Sequence, residues 1–283
     1  MISDPLLAYS WFPESENLYL SHLHEVVLSF LFYQILSSYV APKVNELIFK
    51  KPYENITDEK AKIDFDIHTV SMVQCILSII LALPSLQLPF NLNVVTYQDD
   101  FSSLVAALTV GYFIWDCVIC VRYYKLYGLQ FLIHALVSLY VFGTTLLPFC
   151  QPWIGKFLLF EASTPFVNIN WYIIQLTKMS EKLQKGSKTI EKNSKPIVPV
   201  WFNVFNGVIL MFVFFTVRIL WGFSAVAIVV YEMYKIRDQL PMFLSVSVIL
   251  LNSIMNYLNV IWFSKMVSIA RKQASSFKKT HSD

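Results

Sequence analysis

Apolar residues along this chain gather in long runs instead of alternating with polar ones. "QFLIHALVSLYVFGTTLL", residues 130 to 147, is typical, with one histidine and a few hydroxyls in an otherwise oil-soluble stretch. Runs of about 20 such residues cross roughly 30 Å of hydrocarbon at 1.5 Å per residue. The pattern predicts seven spans: Leu23–Val40, His68–Leu83, Ser102–Val121, Leu129–Phe149, Trp153–Leu176, Val200–Phe223 and Leu240–Val267. The second is short unless it continues through "PSLQLPF". The sixth stays apolar to Val230 and is expected to tilt or break near Gly222. Barrel strands would alternate, and no segment does, so helices are the expected spanning elements. The fold class read from the pattern is an all-α polytopic membrane bundle of about seven helices.

Composition agrees. The 283 residues are 56% hydrophobic and only 14% charged, where a soluble domain carries roughly 25% charged residues; mean hydropathy is +0.53. The N-terminal "MISDPLLAYSWFPESENLY" lacks a basic n-region and is too polar for a signal-peptide core, so no cleavable leader is expected. Eighteen of the 22 lysines and arginines fall in the first, third and fifth loops and the C-terminal tail. Only Lys156, Lys235 and Arg237 lie on the other side, and Arg218 is within a span. That bias orients the lysine-rich side to the cytoplasm and the N-terminus to the lumen. The "NIT" sequon at Asn55 then faces the cytoplasm and is expected to stay bare. Cys75, Cys117, Cys120 and Cys150 fall within or at the ends of spans, and "CVIC" has no partner pair, so they read as packing residues. No metal site and no nucleic-acid partner are expected.

Polar side chains inside spans are costly and usually face a protein interior or a watery cavity. In the fifth span Glu161, Thr164, Asn168, Tyr172 and Gln175 share one helix face, and in the seventh Ser245, Asn252, Asn256 and Asn259 do. Asn203, Asn206 and Arg218 mark the sixth span, Asp116 the third, and His134 with Ser138 the fourth; the first two spans look blander. Counting from the span ends puts Asp116 and His134 roughly 8 Å below the cytoplasmic surface, where they can meet. It puts Glu161 and Arg218 in the lumenal half, as a second candidate pair. Pro165 is expected to bend the fifth span and free the Glu161 carbonyl. These groups serve either as interhelical glue or as the lining of a ligand cavity. Lysines 178, 182, 185, 188, 192 and 195 form a helical stripe that reads as a solvated loop or as a face for anionic headgroups or an anionic coenzyme.

"GYFIWDCV", "FLIHALVS", "FEASTPFVNINWY" and "FNGVILMFVFFTVRIL", in this order, resemble the TLC-domain proteins, which include the ceramide synthases; the "STPF-N" phrase is closest to the small TLC domain-containing branch. The resemblance covers roughly Asp58 to Lys272. It implies an endoplasmic-reticulum membrane bundle holding lipid in a central cavity. Ceramide synthases use two adjacent histidines followed by a His-Asp-x-x-Asp group. Here His134 matches the first histidine, but Ala135 stands for the second. Phe160 stands for the later histidine, Glu161 for the first acid and Thr164 for the second.

Acyl transfer from a thioester to an amine needs a base, or a nucleophile with an orienting partner. His134 with Asp116 is the candidate catalytic pair, and the loss of the second histidine argues against enzymatic activity. His22, His24 and His68 lie near span ends with no spacing that brings them to His134.

The expected organisation is a lumenal N-terminus, accessory first span and loop over 1–57, a TLC domain over 58–272, and a basic tail over 273–283. The expected function is binding a lipid or acyl chain and influencing membrane lipid composition. The cavity would be lined by Asp116, His134, Ser138, Glu161, Thr164, Asn168, Arg218, Asn252 and Asn256. No cofactor is expected. The alternatives are an N-acyltransferase, with acyl-CoA as substrate, and a cargo or chaperone receptor; a membrane-protein partner or homodimer fits either. A coupled transporter is disfavoured, because no inverted repeat is visible.

Overall fold

The computed structural model describes residues 3–186 and 198–280. The lysines from Lys182 to Lys195, expected to form a stripe, lie outside the residues whose side chains are described. Among the described residues six helices are long and apolar enough to cross a membrane. They are α1 (Leu23–Phe49), α2 (Glu59–Ser85), α3 (Asp100–Arg122), α4 (Tyr124–Thr144), α6 (Val200–Lys235) and α7 (Met242–Thr280). The fifth predicted span is not one continuous helix and is not among these six: it is a short helix Ile154–Leu158, a 3-10 segment Leu159–Ser163, then α5 (Thr164–Gly186). It runs antiparallel to α2 along that helix's length. Gly155 packs against Ser85 and Ala82 at one end, and Asn168 and Tyr172 bond to His68 and Thr69 at the other.

Several helix ends depart from the hydropathy reading, each for a local reason. Asp58 caps α2 by accepting from the Lys60 N–H at 3.2 Å, so the helix starts before the apolar run. Asp99 caps α3 in the same way through Ser102, at 2.9 Å. At Gly128 the chain takes φ +72°, a region that favours glycine, and the helical path of α4 is interrupted there. Pro165 is the second residue of α5, where its missing N–H is harmless, so the break is the preceding 3-10 segment and not a kink within a continuous helix. The sixth span does not stop near Gly222. The helix loosens into a π-helical turn at Phe215–Leu220, and α6 continues to Lys235.

The first span is no mere accessory, because α1 and α3 form one of the two most extensive helix pairs. Ser29 donates its hydroxyl to the Leu108 carbonyl at 2.7 Å. Glycine at 111 makes that approach possible: a Cβ there would lie 2.4 Å from the Val26 carbonyl oxygen. Farther along the pair the Tyr33 ring meets Trp115, and the Tyr33 hydroxyl donates to Gln74 of α2. Lys156, counted with the charges of the lumenal side, is buried. Its Nζ donates to the Pro152 carbonyl at 3.0 Å and lies against the Phe90 and Trp153 rings.

Candidate functional site

A cavity of about 400 Å³ opens among α2, α3, α4, α5, α6 and α7. Tyr112, Trp115, Phe131, Phe214 and Trp262 make its aromatic walls, with Ile67, Ile119, Val167 and Met266 between them. Asp116, His134, Glu161, Thr164, Asn168 and Arg218 reach it from four helices and the 3-10 segment. Ile67, Tyr127 and Lys265 line it as well. Behind His134 lies a second pocket of about 40 Å³ lined by Ser138, Asn252 and Asn259, with His134, Glu161 and Arg218 lining both spaces. Asn256 lines neither. It is buried and donates to the Gly222 carbonyl at 3.2 Å, which locks α7 to α6.

The four ionisable groups therefore face one another, and not in the two separate pairs that span depth suggested. The depth count failed on Arg218. Counting from Phe223 made it shallow, whereas α6 is 36 residues long and Arg218 sits at its middle. Neither expected pairing forms. Glu161 makes no ion pair with Arg218, although the two lie within electrostatic reach. The Arg218 guanidinium instead donates to neutral oxygens: Nε to Ser163 Oγ at 2.8 Å, Nη2 to Thr164 Oγ1 at 3.1 Å and Nη1 to Asn259 Oδ1 at 3.5 Å. The 3-10 segment makes this possible by turning Ser163 and Thr164 toward α6. Phe214 supplies a ring face 5.3 Å from the guanidinium carbon.

His134 and Asp116 share the cavity wall without a hydrogen bond between them. Asp116 Oδ1 accepts from Cys120 Sγ of its own helix at 3.9 Å. The His134 ring stands edge-on to Phe113 and Trp262, and its buried Nδ1 has no partner. The imidazole is held by packing between these rings.

The sequence reading missed His68, which lies on the same cavity wall set as His134. Its ring stacks on Trp171 at 3.9 Å, and its Nδ1 donates to Asn168 Oδ1 at 2.8 Å. Asn168 is itself fixed by donating to Ser71 Oγ at 3.1 Å. Nε2 of His68 lies 3.8 Å from Asp64, which accepts from Tyr127 at 3.0 Å. The second span is thus far from bland. His68 and Ser71, three residues apart on α2, form the face that answers Asn168, and that spacing was the available signal.

The family comparisons fit this architecture. The TLC domain family matches residues 64–268. A Saccharomyces cerevisiae protein, "Topoisomerase I damage affected protein 4", is 52% identical over 96% of this chain and 93% of its own length. An uncharacterized TLC domain-containing protein of Schizosaccharomyces pombe is 32% identical over 92% of this chain and 82% of its own. Human "TLC domain-containing protein 4" is 28% identical over 84% and 85%. No solved structure matches significantly. With the family's domain covering residues 64–268 of a helical membrane bundle, and a relative 52% identical over nearly the whole chain, the chain belongs to the TLC-domain family of membrane proteins.

Proposed function

We propose that the protein binds a membrane lipid or acyl chain in the cavity and thereby influences membrane lipid composition, in the endoplasmic reticulum and with its lysine-rich side cytoplasmic. The cavity itself carries the reading. Its volume of about 400 Å³ lies in the range of ligand sites, about 300–1,000 Å³, and its make-up matches theirs, apolar walls with a few convergent polar groups. Arg218 and Lys265 offer positive charge, while Asp116 and Glu161 offer negative charge. That combination suits a lipid head carrying both charges, with its chain against the aromatic walls.

Mass spectrometry of lipid retained by the protein after mild detergent extraction tests this. Wild type should carry a defined lipid, Val167→Trp should exclude it by filling the cavity, and His134→Ala should change occupancy more than thermal stability. A wild-type protein that carries no lipid refutes the reading. The rival reading, an acyl-CoA-dependent N-acyltransferase, draws support from one observation, the second imidazole of His68. Wild-type turnover of acyl-CoA with a long-chain base would favour that reading over lipid handling.

A further inference from the structure

Away from the cavity, at the start of α1, four ionisable side chains are packed together with almost no solvent. Asp4 comes from the N-terminal segment, and His22, His24 and Glu25 from the entry to the helix. His22 Nδ1 lies 2.9 Å from Glu25 Oε2 and 3.5 Å from Asp4 Oδ2. The donor atoms of Asp4, His22 and Glu25 all fall within 4.8 Å of one another. The side chains of His22, Asp4 and Glu25 are 2%, 0% and 0% exposed.

Two features make hydrogen bonding alone a poor account of this cluster. The first is unspent bonding capacity: Asp4 Oδ2 and Glu25 Oε1 are buried without a hydrogen-bond partner, as is His24 Nδ1. The second is charge. Two carboxylates are buried side by side, and among the described residues no lysine or arginine pairs with either; only the imidazoles of His22 and His24 stand against them. Burying a carboxylate without compensation costs several kcal/mol per ion.

We propose that Asp4, His22 and Glu25 bind a divalent transition-metal ion, zinc foremost, which clasps the N-terminal segment to the start of α1. A 2+ ion would balance the two carboxylates. Zinc takes imidazole nitrogen and carboxylate oxygen at about 2.0–2.2 Å, and two tetrahedral ligands at that range stand about 3.4 Å apart. The observed spacings of 2.9 and 3.5 Å bracket that edge. The imidazole disfavours calcium and magnesium, which take oxygen ligands. Asp4 is already oriented, because its other oxygen accepts from the Leu6 N–H at 2.7 Å. His24 backs the site: its Nε2 donates to the Leu6 carbonyl at 2.9 Å and lies 3.4 Å from Glu25 Oε1. Binding replaces the proton shared between His22 and Glu25, so protons are released as metal enters. Asp4 is far from "HLHE" along the chain, and only the fold brings it there.

The test is elemental analysis of the full-length protein purified in detergent from zinc-supplemented cells. Wild type should hold close to one zinc per chain. His22→Ala and Glu25→Gln should lose it, and Asp4→Asn should bind at least about tenfold more weakly. Protein stripped with a chelator should take up one Co²⁺ with visible ligand-field absorption. Wild type that holds no zinc and takes up no Co²⁺ overturns the site, as do monodisperse variants that bind zinc like wild type. Should the variants not fold, stripped wild type decides: its Tm must rise with added ZnCl₂, and an unchanged Tm overturns the site.

Discussion

Arg218 is the group whose removal the structure prices most clearly. Its three hydrogen bonds reach Ser163, Thr164 and Asn259, and its guanidinium lies over Phe214. Hydrogen bonds between helices in a membrane bundle average about 0.6 kcal/mol each, and a desolvated cation–π contact adds about 1–2 kcal/mol. Against these stands the relief of no longer burying a charge. For Arg218→Leu the balance is a loss of about 2–3 kcal/mol, or a Tm lower by about 4–12 °C at some 2–4 °C per kcal/mol. Arg218→Lys should recover little, because an ammonium cannot span three acceptors as the planar fork does.

The same geometry predicts a weak response at Glu161, which makes no ion pair with Arg218. Glu161→Gln should cost under about 0.5 kcal/mol, the scale of substitutions that break no specific contact. The double variant should then match Arg218→Leu, with a coupling energy below about 1 kcal/mol. Thermal unfolding of the four proteins in one detergent, completed as a double-mutant cycle, measures this. A double variant clearly more stable than Arg218→Leu alone would show that each residue left the other buried and unpaired. The hydrogen-bond account of Arg218 would then be wrong.

Gly111→Ala should destabilise by about 1–3 kcal/mol in the same melts, because its Cβ meets the fixed Val26 carbonyl at 2.4 Å; Gly207→Ala, with nothing within 4 Å, should not. Gly128→Ala should cost about 1–2 kcal/mol despite open space around it, since φ is +72° there; an unchanged melt would refute that. A glycosylation acceptor engineered between Asn91 and Phe101 should be modified while native Asn55 stays bare; modification at Asn55 would invert the orientation.

What the sequence made legible, and what it did not, follows from what periodicity encodes. Spacing shows which residues share a helix face, so Glu161, Thr164 and Asn168 were recognisable as one stripe. It does not show which helix that face meets, so Arg218 was given to Glu161 when the fold gives it to Ser163, Thr164 and Asn259. Hydropathy locates the oily middle of a span and misses ends built from capped polar turns. That is why α2 begins at Glu59 and not at His68, and why His68 looked terminal when it is inside the bundle. Segments with non-α turns were the least legible. The π turn of α6 and the 3-10 segment before α5 leave no hydropathy signal, yet they set the depth of Arg218 and the aim of Ser163.

His68 also changes how the enzymatic alternative should be tested. By resemblance, the missing imidazole belongs at position 135, but Ala135 is fully buried and lines neither cavity, so Ala135→His has no room and should impair folding without creating activity. The second imidazole comes from α2. Of the two histidines only His68 has an orienting partner, with its Nδ1 proton directed to Asn168 and its Nε2 3.8 Å from Asp64; His134 has none. A general base needs that orientation. If acyl-CoA and a long-chain base are turned over, His68→Ala should therefore abolish kcat, and Asn168→Ala should lower kcat with a smaller effect on KM. His134→Ala should act chiefly on KM through binding. Loss of turnover in His134→Ala with full activity in His68→Ala would reverse these roles and return the base to the position the family resemblance names.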